Sequence, residues 1–137
     1  MSYFRNAVLS TLLAGGLLQA CSYPRIPNRY RSDLTGRLVY AEGNDGKLAA
    51  AVKVSVPDVQ DTPEGRVHII LFENVSRRPE SFEYQTRWYN RLGLLVGEPS
   101  VWKRIDLSAQ DQVNMAVVQP VADDLTQLEV TVKPLGK

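Results

Sequence analysis

At 137 residues the chain is long enough for one domain and short for two. Sixteen basic against 15 acidic side chains leave no field strong enough to gather nucleic acid, and 44% apolar with 23% charged residues excludes wholesale disorder. A single histidine and a single cysteine exclude most metal clusters and any internal disulfide.

The first element is a targeting segment. Met1 to Asn6 is polar and carries Arg5, and Ala7 to Leu18 is apolar except for Ser10, Thr11 and the Gly15-Gly16 pair. A positive start followed by an apolar run of about 7–15 residues is the pattern of a secretory signal. The run is too short for a membrane span, which needs roughly 20 residues. A buried N-terminal helix is the competing reading, and it suffers because the run is apolar all round.

Leu18-Gln19-Ala20 then precedes Cys21. A large residue at −3 does not suit an ordinary signal peptidase, which takes small residues at both −3 and −1. The stretch resembles a lipobox. That resemblance implies cleavage between Ala20 and Cys21, lipidation of the Cys21 sulfur and acylation of the new amine, giving an anchor of the palmitate class. A free thiol is the alternative, and exported chains seldom leave one unpaired. One acyl chain binds a bilayer marginally and two hold it stably. By the same resemblance, Ser22 rather than Asp after the cysteine implies the outer membrane of a diderm bacterium, on its periplasmic face.

Residues 21–33 are expected to form an extended tether. Ser22 to Asp33 has two prolines, three arginines and no apolar period. Such a tether would reach roughly 35 Å from the bilayer. Arg25, Arg29 and Arg31 either lie against anionic headgroups or keep the linker soluble.

Residues 34–137 carry strand signals. Arg37 to Ala41 is a short strand, and Glu42 to Gly46 a turn. Ala51 to Val56 alternates, with Val52, Val54 and Val56 on one face. Pro57 to Gly65 is expected as a loop. Arg66 to Phe72 is apolar on both faces, Val67, Ile69 and Leu71 on one and His68, Ile70 and Phe72 on the other, which suggests a central strand. Ser81 to Asn90 sets Phe82, Tyr84, Thr86 and Trp88 on one face. Leu94 to Val96, Val101 to Leu107, Gln112 to Val118 and Gln127 to Lys133 complete the set. About eight short antiparallel strands predict an all-β, immunoglobulin-like sandwich, with Val67, Ile69, Leu71, Trp88, Val130 and Val132 in one core. No helix is expected beyond one turn opened by Asp123 and Asp124.

Between Arg66 and Val132 run Phe72-Glu73-Asn74-Val75-Ser76, Arg78-Pro79, Phe82-Glu83-Tyr84, Arg87-Trp88-Tyr89-Asn90 and Leu92-Gly93-Leu94. Trp102, Ile105, Asp106, Leu107 and Pro120 follow. This series, covering roughly half the chain, resembles the YcfL-type family of periplasmic lipoproteins. Asn90 stands where family members often have Asp. The resemblance implies an envelope location and a β-sandwich. It implies no catalytic residue.

His68 lies in a strand with no nucleophile motif beside it, so a structural or solvent-facing role is expected. Trp88 and Trp102 suit either ligand stacking or a core, and a tryptophan on an inner sandwich face favours the core. Asp123-Asp124 suit a turn cap, while Glu73 and Glu83 lie on strands that sequence cannot bring together. Asp58, Asp61 and Glu64 share one loop but lack the glycine and terminal Glu of a calcium loop. Arg77-Arg78 and Lys103-Arg104 are too sparse for nucleic acid. No catalytic residue, metal ligand or cofactor is assigned. The expectation is a non-enzymatic interaction module that binds the membrane through its lipid and docks an envelope protein. The alternative is a small-molecule or glycan-binding protein with weak enzymatic capacity.

Overall fold

A computed structural model describes residues 26–136. The signal segment and Cys21 lie outside them. Nine strands and one short helix follow in chain order: β1 (Asn28–Asp33), β2 (Leu38–Glu42), α1 (Gly46–Ala51), β3 (Val52–Thr62), β4 (Gly65–Asn74), β5 (Glu80–Asn90), β6 (Leu95–Val96), β7 (Lys103–Leu107), β8 (Gln112–Val118) and β9 (Leu125–Pro134). They form two antiparallel sheets. The larger runs β2-β1-β9-β5, with β6 and β7 paired in succession along the remaining edge of β5, and the smaller runs β3-β4-β8. The all-β sandwich expected from alternation is therefore the fold, with one strand more than the pattern suggested.

The sheets meet through aromatic and aliphatic side chains. Phe72 of β4 lies against Phe82 and Tyr84 of β5, with ring centroids 5.4 and 4.9 Å apart. Each such pair contributes about 0.5–1.5 kcal/mol beyond the area it buries. Trp88, Leu128, Val130 and Val132 complete the wall of the larger sheet, and Val52, Val54 and Ile70 that of the smaller. Trp88 is thus a core residue. β4 occupies the centre of its sheet, as its two apolar faces suggest.

Three expectations need correction. Val67, Ile69 and Leu71 are not core: the buried face of β4 is His68, Ile70, Phe72 and Asn74, and the other three are half-buried on the outside. Alternation cannot choose between two apolar faces, and the choice falls to the face whose polar members find partners. Pro57 to Gly65 is not a loop: β3 runs through Thr62, absorbing Pro57 in a bulge where the register shifts between Ser55 and Asp58. β3 is an edge strand, where a residue without an N–H is tolerated. Residues 28–33 are not tether: β1 is paired on both sides, to β2 and to β9. Its inward residues are Asn28, Tyr30 and Ser32, opposite Val132, Val130 and Leu128, so no apolar period marks the strand.

Helix α1 was not expected. Asp45 caps it, its carboxylate accepting from Leu48 N at 3.1 Å, and Leu48 and Ala51 are buried. A side-chain oxygen three residues before the donor is the usual N-cap geometry, and Lys-Leu-Ala-Ala-Ala is a strong helix former. Asn28 ties this turn to β1: its amide donates to Asp45 O at 2.9 Å, and its Oδ1 accepts from Asp45 N at 3.3 Å. Asp123 and Asp124 lie in a turn rather than a helix.

Candidate functional site

The outer face of the larger sheet gathers the most chemistry. Strand register places Tyr40 of β2, Arg31 of β1, Glu129 of β9 and Arg87 of β5 in one row across it. Glu129 is 1% exposed although it faces away from the core. Its Oε2 accepts from Arg31 Nε at 2.7 Å and its Oε1 from Tyr89 OH at 3.2 Å. The Arg31 guanidinium lies 4.5 Å from the Tyr89 ring centroid and 5.6 Å from that of Tyr40. Burial opposes the charge on Arg31, but hydrogen bonding to Glu129 and the negative charges around it outweigh that cost and raise its pKa.

Beside this row, Tyr40 OH donates to Glu42 Oε2 at 2.6 Å and Arg29 Nη1 donates to Glu42 Oε1 at 3.2 Å. The Tyr40 hydrogen bond, ahead of Arg29, holds the Glu42 carboxyl below its ordinary range. Arg87 donates to Gln85 Oε1 at 3.2 Å, and among the described residues no carboxylate forms an ion pair with it. Further along, Lys133 reaches Glu83 at 3.6 Å and lies 4.2 Å from the ring centroid of Trp102. The face therefore offers guanidinium donors beside exposed aromatic rings, a composition suited to contact with a flat polar partner.

Arg29 and Arg31, expected in the tether, are thus sheet residues with carboxylate partners. The sequence hint for Glu129 is Leu-Glu-Val-Thr-Val, an acid inside an otherwise apolar strand. Its meaning is hidden until β1 is recognised as a strand.

The remaining candidates stay apart. His68 is fully buried on the inner face of β4. Its Nε2 pairs with Gln119 Oε1 at 2.8 Å, its ring meets Trp88 edge-on at 4.9 Å, and its Nδ1 has no partner. Burial, reinforced by Arg66 and opposed by Gln119, lowers its pKa. Trp102 is half-exposed outside the core. Asp61 pairs with Arg66 at 2.9 Å, and Asp58 accepts from Gln60 at 2.6 Å. The described residues contain no cluster of three or more His, Cys, Asp or Glu placed to hold a metal. Glu73 and Glu83 lie on different sheets, Arg77-Arg78 fall in the β4–β5 turn, and Arg104 pairs with Asp106 at 3.0 Å.

Two surface features escaped sequence reasoning. β2 exposes Leu38, Val39 and Tyr40 by 45–49%, and the β5–β6 turn carries exposed Leu92 and Leu94, followed by exposed Leu95 at the start of β6. A depression of about 320 Å³ is lined by Leu34, Thr35, Pro57, Asp58, Val59 and Arg66.

Comparison with known proteins places the architecture. A crystal structure of a DUF1425 family member from Shewanella sp. pv-4 superposes with a TM-score of 0.52 at 18% identity, over 75% of this chain and 93% of that one. No curated protein matches the chain. The family model described as "Protein of unknown function (DUF1425)" matches residues 39–133, from β2 into β9. With that span the chain belongs to the DUF1425 family.

Proposed function

We propose that the protein is a lipid-anchored component of a bacterial cell envelope that works by docking another envelope component, without catalysis. The observation that carries this reading is Leu18-Gln19-Ala20-Cys21 at the end of an apolar run, a short distance before the first strand at Asn28. The resemblance to YcfL-type lipoproteins agrees with it. Six residues lie between Cys21 and Asn28, so the sheet would begin within about 25 Å of the acylated sulfur. That is closer than a tether to residue 33 would hold it. Ser22 after the cysteine favours the outer membrane, on the periplasmic side. The polar and aromatic face around Arg31 and Glu129 and the apolar edge at β2 are surfaces for another macromolecule, with the outlines of contact patches rather than of a cleft.

The test is the state of Cys21 in the cell. Mass spectrometry of membrane-extracted protein should find an acylated N-terminal Cys21, and Cys21→Ala should move the protein out of the membrane fraction or leave it unprocessed. A mature soluble chain beginning elsewhere refutes the anchor. A second reading, glycan or small-molecule binding, draws on Tyr40, Tyr89 and Trp102 on one face. Cell-wall fragments that bind the protein and lose affinity on Tyr89→Ala, with folding intact, would favour it over the first.

A further inference from the structure

We propose that β2 is the edge through which the chain pairs with a second copy of itself, joining the two larger sheets into one. The proposal builds on the reading of the chain as a docking module and gives it a surface and an occupant. A terminal strand leaves one row of N–H and C=O groups open to pairing, and most edges are guarded by charge, proline or a bulge. β3 is guarded by Lys53, Pro57, Asp58 and Asp61, and β7 by Lys103, Arg104 and Asp106. β8 presents outward a row of Gln112, Asn114, Ala116 and Val118, mostly polar or small. β2 reads Leu-Val-Tyr-Ala-Glu, with Leu38, Val39 and Tyr40 exposed by 49, 48 and 45%. Its register with β1 shifts between Arg31 and Ser32, so Val39 has no opposite residue there. This bulge twists the edge but adds no charge to it.

The occupant follows from charge complementarity. Arg37 and Glu42 stand at opposite ends of the segment. In an antiparallel pair about a twofold axis between residues 39 and 40, Arg37 of each copy faces Glu42 of the other. Leu38 then faces Ala41, and Val39 faces Tyr40. Opposite charges and aromatic–β-branched pairs directly across two strands are both stabilising. Sliding the pair one residue either way loses both charge matches. A twofold axis uses the same patch on each copy, so one favourable pair counts twice.

The experiment uses the full chain extracted in detergent, with mass measured by sedimentation. The expected result is a dimer, whose dissociation constant rises at least about tenfold on Val39→Lys, because that places two like charges in the pairing edge. Arg37→Glu alone and Glu42→Arg alone should each be monomeric. Mixing these two variants should restore a dimer, since each then supplies the charge the other lacks. Far-ultraviolet circular dichroism confirms that each variant is folded. A monomeric parent, a dimer indifferent to Val39→Lys, or single variants that do not re-associate on mixing would overturn the proposal. So would cross-linking in cells that joins position 39 to a different protein and never to another copy. Cys21→Ser should leave the dimer intact, so failure of the anchor and failure of the pairing are read separately.

Discussion

His68 should make the fold acid-sensitive in a window that no other perturbed group among the described residues occupies. In the folded chain its ring is fully buried, edge-on to Trp88, with one nitrogen on Gln119 and the other without a partner. Burial lowers its pKa from the ordinary 6.5. A base whose folded pKa is depressed is neutral in the native state and takes up a proton more readily when unfolded. Stability is therefore full above pH 6.5 and declines as pH falls through that value toward the folded pKa. One proton bound only by the unfolded state costs at most about 1.4 kcal/mol per pH unit. The perturbed carboxyls do not interfere. Asp33, Asp61 and Asp106 start from 3.8 and Glu42 from 4.5, all shifted downward, so their contribution is lost only below about pH 5. Urea unfolding of a chain beginning at Ser22, at half-unit steps from pH 7.5 to 5, should show this slope in the parent. His68→Gln should be less stable at pH 7.5 and nearly flat across the window. A parent flat between pH 6.5 and 5, or a variant with the same slope, would refute the reasoning.

Four other expectations concern the fold and its outer face. Trp88→Ala should destabilise the domain by about 3–5 kcal/mol, read from the same unfolding curves, because it opens a cavity between the sheets. Arg31→Ala should cost about 3 kcal/mol, since it leaves the buried Glu129 side chain with only the Tyr89 hydroxyl donating to it, whereas Arg66→Ala, at an exposed pair, should cost far less. Gly43→Ala should lower the melting temperature far more than Gly93→Ala. Both have positive φ, but a Cβ at 43 would fall onto the Asn28 backbone and side chain while one at 93 meets nothing. Asp45→Ala should cost about 1 kcal/mol by uncapping α1.

The legible part of the fold was the part where one face is apolar and the other is not. β5 and β9 declared themselves through Phe82, Tyr84, Trp88 and Leu128, Val130, Val132, and all six are buried. β4 was legible as a central strand but not in its orientation, because Val67-Ile69-Leu71 and Ile70-Phe72 are equally apolar. The deciding residue was His68, whose burial depends on Gln119, 51 positions away. β1 was illegible because its inward residues are Asn28, Tyr30 and Ser32, held by the Asp45 turn and by β9 rather than by apolar content. Pro24, Pro27 and the arginines then argued for a linker. The polar cluster was hidden by the same omission: Arg31 and Glu129 are 98 residues apart and become neighbours only once β1 joins the sheet. Asp45 with Lys47-Leu48-Ala49-Ala50-Ala51 did carry a helix signal, and its brevity concealed it.

The place of β1 also has a mechanical meaning. The strand that first leaves the N-terminal segment lies inside the sheet, with ladders to β2 on one side and β9 on the other. A pull applied ahead of Asn28 along the strand direction would load both ladders in shear, so that their bonds share the load instead of parting one at a time as at a peeled edge. Rupture under such a pull is governed by the unfolding rate rather than by equilibrium stability. For a domain held by its first residues, a hairpin edge at the point of attachment would be the weak link. In this sheet the edge is β2, so under a pull from ahead of Asn28 β2 could separate while β1 stays paired to β9.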